Sequence, residues 1–381
     1  MRYGLHRKRR AHLLRTLPLA LLIGLLAAPP SKASTLDVYV IDVEGGKAML
    51  VVAPSGQSML VDAGWAGLND EKMQVFQGDG RDANRIAEVV ELAGLKRLDY
   101  IVITHYHEDH VSNIGRTIER LGLPVGTFFD HGEPLTQNAS ELARYEQYIS
   151  TIASLNGKRV IVKPGDLIAF QNVDVRVVSS AYRTIGRPVP GGGMPNPLCS
   201  EATPGRPGGG ENAASVGLLY TFGKFRMLDL ADLTTDREYD LMCPVNRIGP
   251  VDLWMMSHHG FSASNSALLI HAIAPRAVII NNGARKFGQA EPFDTVRNSP
   301  GIEDVWQLHY AVGVHNNTSE PLIANTETEP DPRCYGCVIG DKGHWIKVSA
   351  RADGSFTIVN GRNKHAKTYR PRGADARGNG R

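Results

Sequence analysis

The chain has 381 residues, with 42 basic against 39 acidic side chains and a formal net charge of +3. That basicity sits at the ends: the first 33 positions hold seven basic and no acidic residues, and from Arg362 onward seven basic residues face only Asp375. The body between them carries 28 basic against 38 acidic residues, which makes it a poor general binder of nucleic acid.

In chain order, the first segment reads as an export signal. Arg2, Arg7, Lys8, Arg9 and Arg10 precede an apolar stretch, residues 17–28, that is too short to span a bilayer comfortably, and Ser31-Lys32-Ala33 supplies small residues for a signal peptidase. Cleavage is expected after Ala33, giving a periplasmic or secreted protein with no transmembrane domain. The Arg9-Arg10 pair leaves a twin-arginine route open, and an uncleaved anchor is the alternative.

Strands are expected at residues 36–42, 48–52 and 58–62, then a helix over 83–93. The apolar run 98–103 reads as another strand and leads directly into Thr104-His105-Tyr106-His107-Glu108-Asp109-His110. Helices fit 112–121 and 140–152, and strands fit 174–178, 215–222, 225–230 and 277–281. Between them, residues 186–210 are rich in Gly and Pro and read as a long loop, either a substrate lid or a plain insertion. A hairpin is expected from 344–351 and 355–359 around Ala352-Asp353-Gly354, followed by a basic flexible tail from 362 to 381. The four cysteines, Cys199, Cys243, Cys334 and Cys337, could form two disulfides in an oxidising compartment. Cys334-Tyr335-Gly336-Cys337 reads as a local structural bridge rather than half a zinc knuckle or a redox motif.

The strongest chemical signal is the run from His105 to His110, three imidazoles and two carboxylates in six residues. Imidazole and carboxylate are natural ligands for divalent cations, and packing alone has no use for so many polar groups at a strand end. His105 and His107 are expected to leave the strand on one side, with Asp109 and His110 at the turn into the next helix, so that each pair can serve one ion. Other apolar runs also finish on polar groups: 58–61 on Asp62, 225–230 on Asp232, and 251–257 on His258 and His259.

These pieces, with Val61-Asp62-Ala63-Gly64 first, His-x-His-x-Asp-His next, then Ala231-Asp232 and Ser257-His258-His259-Gly260, resemble the metallo-β-lactamase fold superfamily, and within it the branch of the ComEC-type competence domain. The resemblance also takes in residues 41–47 and the closing hairpin, and implies an α/β fold, a single-domain four-layer αββα sandwich over residues 34–361. It implies that His105 and His107 hold one metal, that Asp109 and His110 hold a second, and that Asp232 bridges the two. It further implies that Asp62 is a buried carboxylate orienting the His loop, and that a His of the 258–259 pair completes the second site. Adjacent strand residues point to opposite sides, so only one of His258 and His259 is expected to ligate. Many members carry a further histidine where this chain reads Gly210-Glu211-Asn212; Asn212 and His131 are the two candidates to fill that gap.

The chemistry that follows is hydrolysis by two divalent ions, zinc by default from the nitrogen ligands, with manganese or iron fitting a carboxylate-rich site. Asp109 or Asp232 could relay a proton, and the spare His of 258–259 could contact an oxyanion or leaving group. The resemblance points to a phosphoester or phosphodiester as substrate, with nucleic acid a less favoured partner than a small molecule. Lactone or β-lactam hydrolysis, and a sensory or binding protein without turnover, are the alternative readings.

Overall fold

The computed structural model describes residues 1, 3–4, 35–66, 80–134, 136–204, 210–286, 288–332 and 336–373. The expected signal segment therefore lies, apart from three residues, outside the described residues, as does Cys334. Among the described residues no helix is long and apolar enough to cross a membrane.

Two nine-stranded sheets dominate the body. The first runs, edge to edge, through Ala366–Tyr369, Phe356–Asn360, Ile346–Ala350, Leu36–Val40, Met49–Val52, Ser58–Val61, Leu98–Val102, Val125–Asp130 and Lys158–Ile161. The second runs through Ile323–Asn325, Asp304–His309, Ala277–Ile280, Leu253–Met255, Phe225–Asp229, Gly217–Phe222, Val173–Ser180 and Leu167–Phe170, with Arg183–Thr184 paired to Val173–Ser180.

Alternation along the strands explains the layers. One set of side chains, including Val38, Val51 and Met59 from the first sheet and Val175, Leu218, Met227 and Ile279 from the second, forms a single core between the sheets. The opposite set faces helices: Leu50, Leu60, Ile101 and Phe128 pack with Ile86 and Val90 of helix Arg81–Leu92, Ile118 of Ile114–Leu121, and Tyr148 and Ile152 of Ala139–Ser154. On the second sheet Leu228, Trp254 and Val278 meet Leu241 of Thr235–Met242, Leu269 of Ala267–Ile273 and Phe293 of Ala290–Asn298. This is the expected four-layer α/β sandwich.

Each sheet is half antiparallel and half parallel. Ser58–Val61, Leu98–Val102, Val125–Asp130 and Lys158–Ile161 run parallel to one another, and so do Phe225–Asp229, Leu253–Met255, Ala277–Ile280, Asp304–His309 and Ile323–Asn325. In open α/β sheets the carboxyl ends of parallel strands are where ligands bind. In this chain those ends carry Asp62, the His105–His110 run, His131, Asp232 and His258–His259.

Two expectations need correction. The Gly/Pro-rich stretch is not one free loop: Met194–Pro195 pairs with Val245–Asn246, the Asn196 side chain donates to Leu268 O, and Cys199 is disulfide-bonded to Cys243. Those contacts strap its described part to helices of the second sheet, which is no arrangement for a lid. Nor is the chain flexible throughout from Arg362, because Ala366–Tyr369 adds an antiparallel strand to Phe356–Asn360. Tyr369 is buried there, stacked on Phe356 at 4.3 Å between ring centroids, and accepts a hydrogen bond from Trp306 Nε1.

Candidate metal centre

The strand Leu98–Val102 ends before the histidines, which therefore sit beyond the sheet, in the loop and at the helix that follow. His107 stands at the N-terminal cap of the short helix Glu108–Val111, so one turn of helix brings Asp109 and His110 back toward the loop. Asp62 fixes this arrangement. Its Oδ1 accepts from Thr104 N at 2.8 Å, and its Oδ2 accepts from Thr104 Oγ1 at 2.7 Å and meets His110 Nδ1 at 2.8 Å. A carboxylate only accepts, so Nδ1 of His110 carries the proton and Nε2 is left with its lone pair toward the centre.

The second sheet supplies the rest. Asp232 follows Phe225–Asp229, and His258 and His259 follow Leu253–Met255 in a single turn of 3-10 helix. Both histidines adopt left-handed backbone, with φ of 49° and 53°, so the strand alternation expected for them does not apply. Asp62 and Ala231, at φ of 58° and 51°, share that conformation. Non-glycine residues enter this region at a cost of about 1–3 kcal/mol each, and such residues concentrate at functional sites.

The side chains converge in two groups. Asp109, His110, Asp232 and His259 offer one donor atom each, all within 4.8 Å of one another, and His105, His107 and Asp232 do the same. Asp232 belongs to both. His259 Nε2 is 3.3 Å from Asp109 Oδ2 and 3.5 Å from Asp232 Oδ2, and His110 Nε2 is 3.3 Å from the same Asp232 oxygen. His105 Nε2 lies 3.8 Å from Asp232 Oδ2 and 3.0 Å from His107 Nδ1. His258 stands at the rim, 3.6 Å from Asp232 Oδ2, 3.4 Å from Ser264 Oγ and 3.4 Å from Asn212 Nδ2.

The donor set fits divalent cations. His110 Nε2 faces His259 Nε2 at 3.2 Å, and His105 Nε2 faces His107 Nδ1, so buried ring nitrogens point at one another with two carboxylates between them. Burial would raise the carboxyl of Asp109, yet His110, His259 and Lys286 hold it below the usual carboxylate range. Asp232 is likewise held down against its burial by His110, His259 and His258. The imidazoles divide: burial pushes His105 well below its ordinary value, while Asp232 and Asp109 carry His110 and His259 above theirs despite burial. Negative charge is thus fixed at the centre, and the groups around it shift to suit.

His131 stands outside both groups. Its Nε2 lies 3.0 Å from Glu211 Oε2, and its ring packs on Tyr106. Asn212 lies beside His258, with a buried Oδ1 that lacks a partner. Sequence reasoning missed Glu211 itself, which is fully buried and accepts from Tyr106 N, between the two histidines. It also missed Lys47, which pairs with Asp229 beneath Asp232, and Asn281, whose amide meets His259 Nδ1 at 2.9 Å. Lys47 directly precedes, and Asn281 ends, a stretch already marked as strand-like, which was the available signal.

Residues 41–192 match the family model of the metallo-beta-lactamase superfamily. No curated protein matches the chain. Among solved structures, it is similar to the metallo-beta-lactamase fold protein YhfI from Bacillus subtilis, at 14% identity over 71% of this chain and 96% of that one, with a TM-score of 0.43. It is also similar to Zn(2+)-bound PqqB from Methylobacterium extorquens, at 13% identity over 71% and 88% of the two chains, TM-score 0.38. A third is CmlA, a diiron beta-hydroxylase from Streptomyces venezuelae, at 16% identity over 72% of this chain and 48% of that one, TM-score 0.36. The fold and the matched segment define a metallo-β-lactamase-fold protein. The matched segment carries Asp62 and the His105–His110 run, the part of the centre contributed by the first sheet.

Proposed function

We propose that this chain is an exported dinuclear metallohydrolase of the competence-protein-like branch, acting on a phosphoester or phosphodiester. The observation that carries the dinuclear reading is the sharing of Asp232 between two donor groups drawn from opposite sheets. His105, His107 and Asp232 would hold one ion, and Asp109, His110, Asp232 and His259 the other. Nitrogen and carboxylate donors in these proportions suit zinc first, with manganese or iron also accommodated. When bound, such a pair of ions activates water near neutral pH and stabilises the charge that develops on the attacked group.

The protein's own contribution is positional. Asp62 sets the tautomer of His110, and Asn281 steadies the ring of His259. Asp109 and Asp232 are the nearest proton acceptors to the centre. His258, at the rim and pushed below its ordinary pKa chiefly by burial, is placed to donate a hydrogen bond to an oxyanion or leaving group. Export is supported by the signal-like first 33 residues and by the Cys199–Cys243 disulfide, which belongs in an oxidising compartment. The acidic body favours a small molecule over a nucleic-acid polymer.

Metal analysis followed by a screen of bis-p-nitrophenyl phosphate, p-nitrophenyl phosphorylcholine, a lactone and nitrocefin tests this reading. Metal-dependent turnover of a phosphodiester is expected. Turnover of the lactone or nitrocefin alone would transfer the chain to carbonyl chemistry, and turnover of none by metal-replete protein would make it a binding module.

A further inference from the structure

Beside His105 and His107 the structure gathers acceptors that the hydrolytic centre does not use. Glu141, in the first turn of helix Ala139–Ser154, brings Oε1 to 3.3 Å from His107 Nε2, and its Oε2 is buried without a partner. Glu211 spends Oε2 on Tyr106 N and His131 Nε2, and its Oε1 is likewise buried and unpartnered. Tyr182 joins them: its hydroxyl is buried with no partner, and burial and then Glu211 and Glu141 push the phenol's pKa up. Its turn is tied to the Glu211–Ala214 segment by Ala181 N donating to Ala214 O at 3.0 Å.

Unsatisfied buried acceptors are rare because each forfeits the hydration it had in water. Two carboxylates with one idle oxygen apiece, next to a reaction centre, describe a place built for a positively charged hydrogen-bond donor. Among the described residues no Lys or Arg nitrogen lies within 4.0 Å of either carboxylate, whose ion-pair partners are His107 and His131. Arg144, one turn along from Glu141, is engaged by Tyr106 O and Glu108. A third metal is a poor fit, since among the described residues no cluster of three His, Cys, Asp or Glu donors within 4.8 Å includes Glu141 or Glu211. A metal needs its donors at about 2.0–2.6 Å, whereas an ammonium reaches separated acceptors through separate N–H bonds. His107 and Tyr182 are half-buried, so the cluster borders solvent on the side of the hydrolytic centre.

We infer that Glu141, Glu211 and Tyr182 form a cation subsite that takes a primary ammonium group carried by the substrate. The inference rests on the hydrolase reading of the neighbouring centre and narrows its substrate class to amino-bearing esters.

The test uses full-length, metal-loaded protein and two diesters that differ only in a terminal ammonium: the p-nitrophenyl ester of phosphoethanolamine and p-nitrophenyl ethyl phosphate. A preference in kcat/KM of about 10-fold or more for the ammonium ester is expected, the scale of one charge-assisted hydrogen bond. Glu141→Gln and Glu211→Gln should each erase most of it through KM. Thermal shift with free phosphoethanolamine against ethyl phosphate reads the same subsite without turnover. Equal handling of the two compounds in both assays overturns the subsite, while hydrolysis of the ethyl ester would leave the hydrolase reading standing. Discrimination in the thermal shift with turnover of neither ester would do the reverse. Loss of one metal equivalent in Glu211→Gln would assign that oxygen to the metal centre and overturn the subsite; Glu141→Gln keeps the proposal open to refutation should Glu211→Gln fail to fold.

Discussion

Asp62→Asn tests the logic of the centre at one atom. Asp62 is fully buried at φ 58°, a conformation Asn tolerates well, so the substitution leaves the backbone turn in place. Asn can still accept from Thr104 N through Oδ1. In the position of Oδ2, however, it presents an N–H to His110 Nδ1, where a carboxylate oxygen had met that ring at 2.8 Å. Two outcomes are open to the ring, and both are costly. If Nδ1 keeps its proton, two buried donors face each other and a charge-assisted bond of about 1.5–3 kcal/mol is lost. If the proton moves to Nε2, the lone pair turned toward Asp109 and Asp232 disappears, and the second group loses a nitrogen donor. Losing such a supporting partner costs roughly 10–100-fold in metal affinity, or about 1.4–2.8 kcal/mol at tenfold per 1.4 kcal/mol. Competition with a fluorescent chelator measures this, with circular dichroism of the metal-free protein as the control for folding. A folded Asp62→Asn protein that binds zinc within about threefold of the parent would refute the claim that Asp62 sets the tautomer of His110.

Other perturbations separate the site from the scaffold. His107→Ala and Asp232→Ala should abolish metal-dependent turnover, whereas Lys364→Ala and Arg370→Ala, far along the closing strands, should leave rates within about twofold in a p-nitrophenyl phosphodiester assay; an unchanged rate in Asp232→Ala would remove its bridging role. Reducing the Cys199–Cys243 bridge, which closes a separation of 44 residues, should cost about 4 kcal/mol by the chain-entropy relation, read as a lower urea midpoint for Cys199→Ser/Cys243→Ser. The buried pair of His309 Nε2 and Asp42 Oδ1, at 2.7 Å, makes stability pH-dependent. Burial lowers the His309 pKa, but Asp42 outweighs it and raises the value from 6.5 to about 9. Its contribution is therefore complete below pH 6.5 and lost as pH rises through 9, about 3 kcal/mol at roughly 1.4 kcal/mol per pH unit. Asp42, held below its ordinary value by His309 and Arg85 against its burial, contributes above about pH 4 and loses this as acid protonates it. Urea unfolding between pH 6 and 10 should show this alkaline loss in the parent and a flatter curve in His309→Gln; parallel curves would sink the assignment.

Much of this was legible in the sequence because it is written locally. The strands at 36–40, 49–52, 58–61 and 225–229 and the helices at 81–92 and 139–154 were marked by periodicity, and each was placed to within a few residues. The edge strand Ala366–Tyr369 was masked by its charge, since three of its flanking or exposed side chains are Lys or Arg. Its attachment depends on Tyr369, whose fit against Phe356 and Trp306 no local pattern reports. The Gly/Pro-rich stretch misled for a related reason: its composition rules out a core of its own, but not docking on someone else's. A disulfide and a two-residue ladder are enough to fasten it.

The candidate site divides along the same line. The His105–His110 run announces itself because its donors are adjacent in sequence, and the short helix Glu108–Val111 merely folds them back. Asp232 and His259 are less visible, since their value comes from meeting that run across two sheets. What could not be read was orientation. Period-two reasoning assumes an extended chain, and the centre is built where the chain stops being extended, at Asp62, Ala231, His258 and His259, all left-handed without being glycine. That departure is what lets His259 reach Asp109 while His258 remains at the rim beside Asn212, so both neighbours can serve one centre from the same side. Glu211 was hidden for a different reason, distance along the chain. Its value as a residue is set by Tyr106, a neighbour 105 positions earlier whose backbone N–H has no strand to bond and takes the carboxylate instead.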